Sequence, residues 1–171
     1  KVALDATKRV MCDRNIFLPV MLSVTVSDLA GRTLSGQTLE AFLASVSSYN
    51  IFSVGLNCSF GARQMKVFLE QLANKAPYFI SAYPNAGLPN SMGLYDETPK
   101  SMAPQIAEFI DEGLVNIIGG CCGTTEEYIA EYIPLVEGKK PHEPNKKPET
   151  MWLSGLELLD VTPEVHFVNV G

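Results

Sequence analysis

The spacing of apolar positions switches repeatedly along this chain between a strand-like and a helix-like period. Residues 19–26 (PVMLSVTV) form a β-branched apolar run of the kind buried in a sheet. A polar, glycine-bearing loop follows over 27–37 (SDLAGRTLSGQ). Then Leu39, Phe42, Leu43 and Val46 recur at i, i+3, i+4 and i+7, the stripe of an amphipathic helix. The cycle repeats with an apolar run at 52–56 and a helical stripe of Met65, Phe68, Leu69, Leu72 and Ala76. A third strand is predicted at 78–82 (YFISA), followed by a long Pro-, Asn- and Gly-rich loop over 83–97. Met102, Ile106, Phe109 and Ile110 mark the next helix, closed by Gly113. Residues 114–118 read as the last strand of the series. Thr124 and Glu127 suggest a capping box for a helix carrying Tyr128, Ile129, Tyr132 and Ile133, with Pro134 bending or ending it. One further helix is predicted at the front, over residues 1–12.

The resulting order is one helix followed by four strand–helix units. Strands buried on both faces and joined by crossover helices make an α/β protein with a parallel sheet. Two architectures fit: a doubly wound open sheet, and half of a (β/α)8 TIM barrel, since a whole barrel takes about 250 residues. A leading helix with no strand before it favours the cut barrel. After Gly138 the texture changes. Residues 139–150 (KKPHEPNKKPET) are rich in Pro and Lys and lack periodicity, which predicts an extended linker. A small apolar group (Trp152, Leu153, Leu156, Leu158, Leu159) follows, and 166–170 (HFVNV) resembles the opening strand of another unit.

The net charge of −6 argues against nucleic acid as a principal partner, because phosphate binding needs a basic face. No run of 18 apolar residues predicts a membrane span, and residues 1–9 do not read as a signal peptide. A chain that opens without Met, inside a predicted helix, reads as a fragment. The four cysteines, Cys12, Cys58, Cys121 and Cys122, are too sparse for a disulfide framework and suit free thiols or metal ligands in a reducing, cytoplasmic setting.

Candidate chemistry gathers at three of these thiols. Cys58 (GLNCSFG) directly follows one predicted strand, and Cys121 and Cys122 (GGCCGTT) follow another, with a single strand between them. In a parallel barrel all strand C-termini open on one face, where active sites lie. Loops two strands apart start roughly 10 Å apart, a gap that inward-leaning side chains can close. Three thiolates there would suit Zn²⁺ and leave one tetrahedral position open, as expected of a catalytic site. The intervening strand ends in YPNAG, so Asn85 is expected near the metal, its oxygen filling the open position when no thiol is bound. Asn57 and Asn85 together could orient a polar substrate or merely satisfy loop backbone. With no CxxC pair the spacing alone is a weak signal, and a redox-active vicinal pair at Cys121 and Cys122 is an alternative. Cys12 is expected to be a buried small hydrophobe, and His142 and His166 to be solvated or structural rather than ligands.

GLNCSFG, SAYPNAGLPN, VNIIGGCCGTT and SDLAGRTLSGQT resemble segments of the homocysteine S-methyltransferase family, in family order over residues 1–138. The tail, SGLELLD followed by FVNVG, resembles the passage from the homocysteine barrel to the folate barrel in the cobalamin-dependent members, the methionine synthases. Other members use betaine or S-methylmethionine as donor. The resemblance implies the C-terminal half of a (β/α)8 barrel at 1–138, and at 139–171 a linker leading to the first strand of a pterin/folate-binding domain. It implies Zn²⁺ on Cys58, Cys121 and Cys122, with homocysteine bound through sulfur. It also implies a methyl group delivered from methylcobalamin on a separate module and replenished from methyltetrahydrofolate. The N-terminal half of the barrel is missing from this pattern, so substrate contacts made by that half have no counterpart here. A structural zinc in a non-catalytic docking scaffold is the competing reading; it would need a fourth protein ligand, and no further Cys or His lies near the cluster in sequence.

Overall fold

The computed structural model describes residues 1–165 and 167–169. Four strands, β1 (Met21–Val24), β2 (Ser53–Gly61), β3 (Phe79–Asn85) and β4 (Ile117–Ile118), form one parallel sheet in the order β1-β2-β3-β4. Five helices, α1 (Val2–Arg14), α2 (Leu39–Val46), α3 (Ala62–Lys75), α4 (Pro99–Asp111) and α5 (Glu126–Val136), alternate with them. Each strand lies beside its neighbour in sequence. Right-handed crossovers in a monotonic order carry α2, α3 and α4 to the same face of the sheet. A doubly wound sheet instead needs a reversal of strand order, and none occurs here. The arrangement is α/β and consistent with part of a TIM barrel.

The helix-facing side of the sheet is the core. Val54 and Ile80 project from it and are fully buried against Met65, Leu69, Leu72, Met102, Ile106 and Phe109 of α3 and α4. At about 25 cal/mol per Å² of apolar area removed from water, this packing is what makes the predicted stripes fold as helices. The middle of the opposite side is small and polar, with Ser23, Ser53, Gly55, Asn57 and Ser81 at the alternate positions of β1 to β3, flanked by Met21, Phe79 and Tyr83.

Helix starts follow local chemistry. The Thr38 side chain accepts from Ala41 N at the head of α2. Thr98 and Ser101 form a reciprocal capping box on α4, with Pro99 at the first helical position. The capping box expected from Thr124 and Glu127 does not form. α5 begins at Glu126 with Thr125 as its cap and no side-chain cap bond, because the Thr124 hydroxyl is spent on Cys121 O at 2.7 Å. β1 is shorter than the apolar run that predicted it. Past Val24 the chain turns, and Val26 pairs antiparallel with Thr33 inside the following loop. Cys12 is exposed rather than buried, since α1 buries only Leu4.

Residues 139–150 carry no helix or strand, as expected, but they form an anchored strap. His142 N donates to Val115 O, and the Asn116 side chain bridges His142 O and Ile80 N. The Asn145 amide donates to the carbonyls of Ala73 and Ala76 at the end of α3. The strap thereby crosses the N-terminal ends of β3 and β4. The apolar group beyond it is an antiparallel hairpin, β5 (Met151–Ser154) and β6 (Leu158–Val161), packed on α2. Its turn is tied to the β1–α2 loop by Arg32 with Glu157, by Gln37 with Ser154 and Gly155, and by Thr38 N with Leu156 O. Of the expected terminal strand, residues 167–169 are outside any strand, and His166 and Val170 lie outside the described residues. No described helix is long and apolar enough to cross a membrane.

Candidate metal centre

The β2–β3 register sets the geometry of the first thiol. Asn57 pairs with Tyr83, but the next pairing is Gly61 with Asn85. Four steps along β2 thus match two along β3, and residues 58–60 bulge out of the ladder. Within the bulge Cys58 and Ser59 take φ of +62° and +63°. Two consecutive non-glycine residues in the left-handed region cost about 1–3 kcal/mol each and persist only where surrounding structure demands it. The gain is directional, because the bulge re-aims the Cys58 side chain towards the β4 loop.

The second and third thiols come from GGCCG after β4. Cys121 N donates to Pro84 O and Gly119 N to Ala82 O, so the end of β3 carries this loop. The glycines let it lie close. A Cβ at Gly119 would stand 2.7 Å from the Tyr83 ring, and one at Gly120 would stand 2.6 Å from Thr124 Cβ and Cγ2. Gly123 supplies the positive φ of 79° that turns the chain into α5.

These two devices bring three sulfurs together. Cys58 Sγ and Cys122 Sγ are 3.6 Å apart, and Cys121 Sγ and Cys122 Sγ 3.8 Å apart. All three lie within 4.8 Å of one another. With metal–sulfur bonds near 2.3 Å, a tetrahedral centre has sulfur–sulfur edges of about 3.8 Å. Two of the three sulfur–sulfur edges therefore already match such a tetrahedron and the third lies within 4.8 Å, so the sulfurs could hold a metal ion. All three residues are half-buried, so the cluster remains open on one side.

The protonation chemistry is uneven across the cluster. Cys122 is pushed below the usual thiol range by the Cys58 thiol, then by the Tyr95 hydroxyl and Cys121, which favour its charged form. Cys121 is pushed up, chiefly by burial and then by its sulfur neighbours. Tyr95 is raised in turn by Cys122. A thiolate is thus most readily formed at the sulfur that is close to both others.

Of the residues singled out from sequence, Cys58, Cys121 and Cys122 converge. Asn85 is buried beside them, its Oδ1 accepting from Cys122 N at 3.2 Å. Asn57 lies on the polar side of the sheet, its Oδ1 accepting from Ser23 Oγ at 3.0 Å and Thr25 Oγ1 at 3.3 Å. Cys12 and His142 take no part. His142 is structural, with Nδ1 on Gly113 O at 3.1 Å. Sequence reasoning missed Tyr95, whose ring stem lies against the metal loop, within 2.8 Å of where a Cβ at Gly123 would stand. The available signal was the turn at NSMG, which folds residue 95 back towards Asn85.

Three half-buried thiols thus gather on the rim of a parallel α/β sheet, where strand C-termini meet, in an arrangement that could hold a metal ion. The homocysteine S-methyltransferase family model matches residues 1–133. The chain belongs to that family.

Proposed function

We propose that this chain holds the zinc centre of an enzyme that methylates the sulfur of homocysteine, forming methionine. The observation that carries the reading is the convergence of the three sulfurs, two of whose edges have the length of a ZnS₃ face while all lie within 4.8 Å; a fourth corner would be left to a substrate. Zinc bound there would supply Lewis acidity that removes the proton of an incoming thiol near neutral pH. The chain's own residues do the rest. The bulge at Cys58 and the GGCCG loop fix the three sulfurs before metal arrives. The polar side of the sheet, with Asn57 held by two hydroxyls, offers orienting groups for the amino-acid end of the substrate. Asn85 has one lone pair on Cys122 N, and a second with which its oxygen fills the open corner when no thiol is bound. Residues 1–138 would then be the barrel portion. The strap, hairpin and tail would lead to a pterin/folate module.

The particular member we propose is a cobalamin-dependent methionine synthase. Methylcobalamin on another module of the same polypeptide would donate the methyl group, and methyltetrahydrofolate would replenish it; the setting would be cytoplasmic. The support is the tail, SGLELLD and FVNVG, which a single-module betaine- or S-methylmethionine-using relative does not need. Calorimetric titration of homocysteine into the intact zinc-loaded protein tests the reading. It predicts binding with proton release that chelation abolishes. Binding that survives complete removal of zinc would overturn it.

A further inference from the structure

The spacing of the three sulfurs depends on what holds the segments that carry them. Cys58 lies in the β2 bulge, which Gly61 closes by pairing with Asn85. Gly61 is also the N-cap of α3, and it has no side chain with which to bond the first free amides of that helix. A serine, threonine or aspartate does not fit there, because a Cβ at Gly61 would be 2.9 Å from Gly87 Cα. The cap comes from another helix: Gln105 Oε1 of α4 accepts from Arg63 N at 3.0 Å. Resting on the reading of the three thiols as a metal site, we propose that Glu97 is its positioning residue, orienting Gln105 to cap α3 and so fixing the end of the bulge that aims Cys58.

The chemistry of the two side chains sets the direction. A side-chain amide can present either its oxygen or its NH₂ group, whereas an ionised carboxylate only accepts. Gln105 Nε2 donates to Glu97 Oε2 at 2.8 Å, with a longer bond to Ser101 O of its own helix at 3.1 Å. The carboxylate therefore claims the NH₂ group and leaves the amide oxygen for Arg63 N. Through its backbone the same residue reaches the GGCCG loop. Glu97 N donates to Ala86 O, and Ala86 N donates to Cys122 O. The Tyr128 hydroxyl of α5 donates to Glu97 O and keeps the residue in place. A Cβ at Gly87 would be 2.8 Å from Glu97 Cγ, so the glycine leaves room for the side chain to pass the end of β3 on its way to α4. One residue thus joins the bulge of Cys58 to the loop of Cys122, whose sulfurs stand 3.6 Å apart.

The test uses two readouts on the intact protein. Dibromobimane, whose two bromides are displaced by two neighbouring thiols, reads the Cys58–Cys122 spacing without metal, with the bridged pair located by peptide mass spectrometry. Competition with a chromophoric chelator reads zinc affinity. Glu97→Met keeps the length of the side chain and removes the acceptor. It should slow Cys58–Cys122 bridging roughly five- to tenfold and lower zinc affinity roughly 10–100-fold. Glu97→Gln, which restores an acceptor oxygen, should bring both to within about threefold of wild type. Lys66→Met removes the ion pairs to Glu108 and Glu112 that join the same two helices, and should leave both readouts unchanged. Should Glu97→Met fail to fold, Gln105→Met takes its place with the same expected losses. Wild-type bridging and affinity in the Met variant, or equal losses in Glu97→Gln or Lys66→Met, overturn the role of Glu97. Wild-type protein that binds no zinc overturns the metal reading instead, and the bridging rates alone then decide whether Glu97 positions Cys58.

Discussion

Replacing Gly120 by alanine adds one methyl group where the metal loop leaves no space. That Cβ would stand 2.6 Å from both Cβ and Cγ2 of Thr124. Thr124 can retreat only by giving up the 2.7 Å bond from its hydroxyl to Cys121 O. Losing that bond costs about 0.5–1.5 kcal/mol, and the overpacking about 1–3 kcal/mol. The expected destabilisation of Gly120→Ala is therefore about 2–4 kcal/mol. Because Thr124 fixes the carbonyl of a ligand residue, zinc affinity should also fall, by roughly 10–100-fold, as for other outer-shell partners of metal ligands. Urea unfolding followed by circular dichroism reads the first quantity, and competition with a chromophoric chelator reads the second. A variant with wild-type stability and wild-type zinc affinity would refute the argument that the Gly–Gly step and Thr124 set the position of Cys121.

Other consequences can be checked separately. Cys58→Ser should lower zinc affinity at least about 100-fold with little change in the unfolding midpoint of metal-free protein, because the residue is half-buried and its sulfur serves the cluster rather than the core. Asn116→Ala strips partners from Ile80 N and His142 O together and should cost about 2–4 kcal/mol in denaturant unfolding. His142 should make stability pH-dependent. Burial holds its pKa below the ordinary 6.5, against an opposing bond to Gly113, and its buried Nε2 has no partner. The unfolded chain therefore takes up the proton first, so the stabilisation is complete above pH 6.5 and is lost as pH falls through the lower folded value. Unfolding of wild type and His142→Gln measured across that range should show the slope only in the wild type. Asn85→Ala should remove an oxygen scatterer from the zinc absorption fine structure of substrate-free protein.

Much of this fold is legible from periodicity, because each helix stripe and strand run buries its apolar side against the same core. Met65, Leu69 and Leu72 are as buried as their spacing predicts. What the pattern hides is set by long-range polar partners. The strap at 139–150 looks like a free linker since its anchors are single side chains, His142 and Asn145, reaching backbone far away in sequence. The hairpin at 151–161 has too few alternating positions to announce itself, and it depends on α2 and the β1–α2 loop to form. The Thr124 capping motif fails because its hydroxyl has a nearer acceptor in Cys121 O. At the site, the three cysteines could be placed on one rim by counting strands. The bulge that aims Cys58, with its two left-handed residues, carries no glycine to mark it, and Tyr95 comes into reach only through the turn at Asn90 to Gly93.

The most direct measurement is zinc K-edge absorption fine structure on the intact protein with and without homocysteine. The proposed centre gives three sulfurs near 2.3 Å plus one light atom in the free state, and four sulfurs once the substrate is added. Fewer than three sulfurs in the free protein, or a spectrum that homocysteine leaves unchanged, would contradict it.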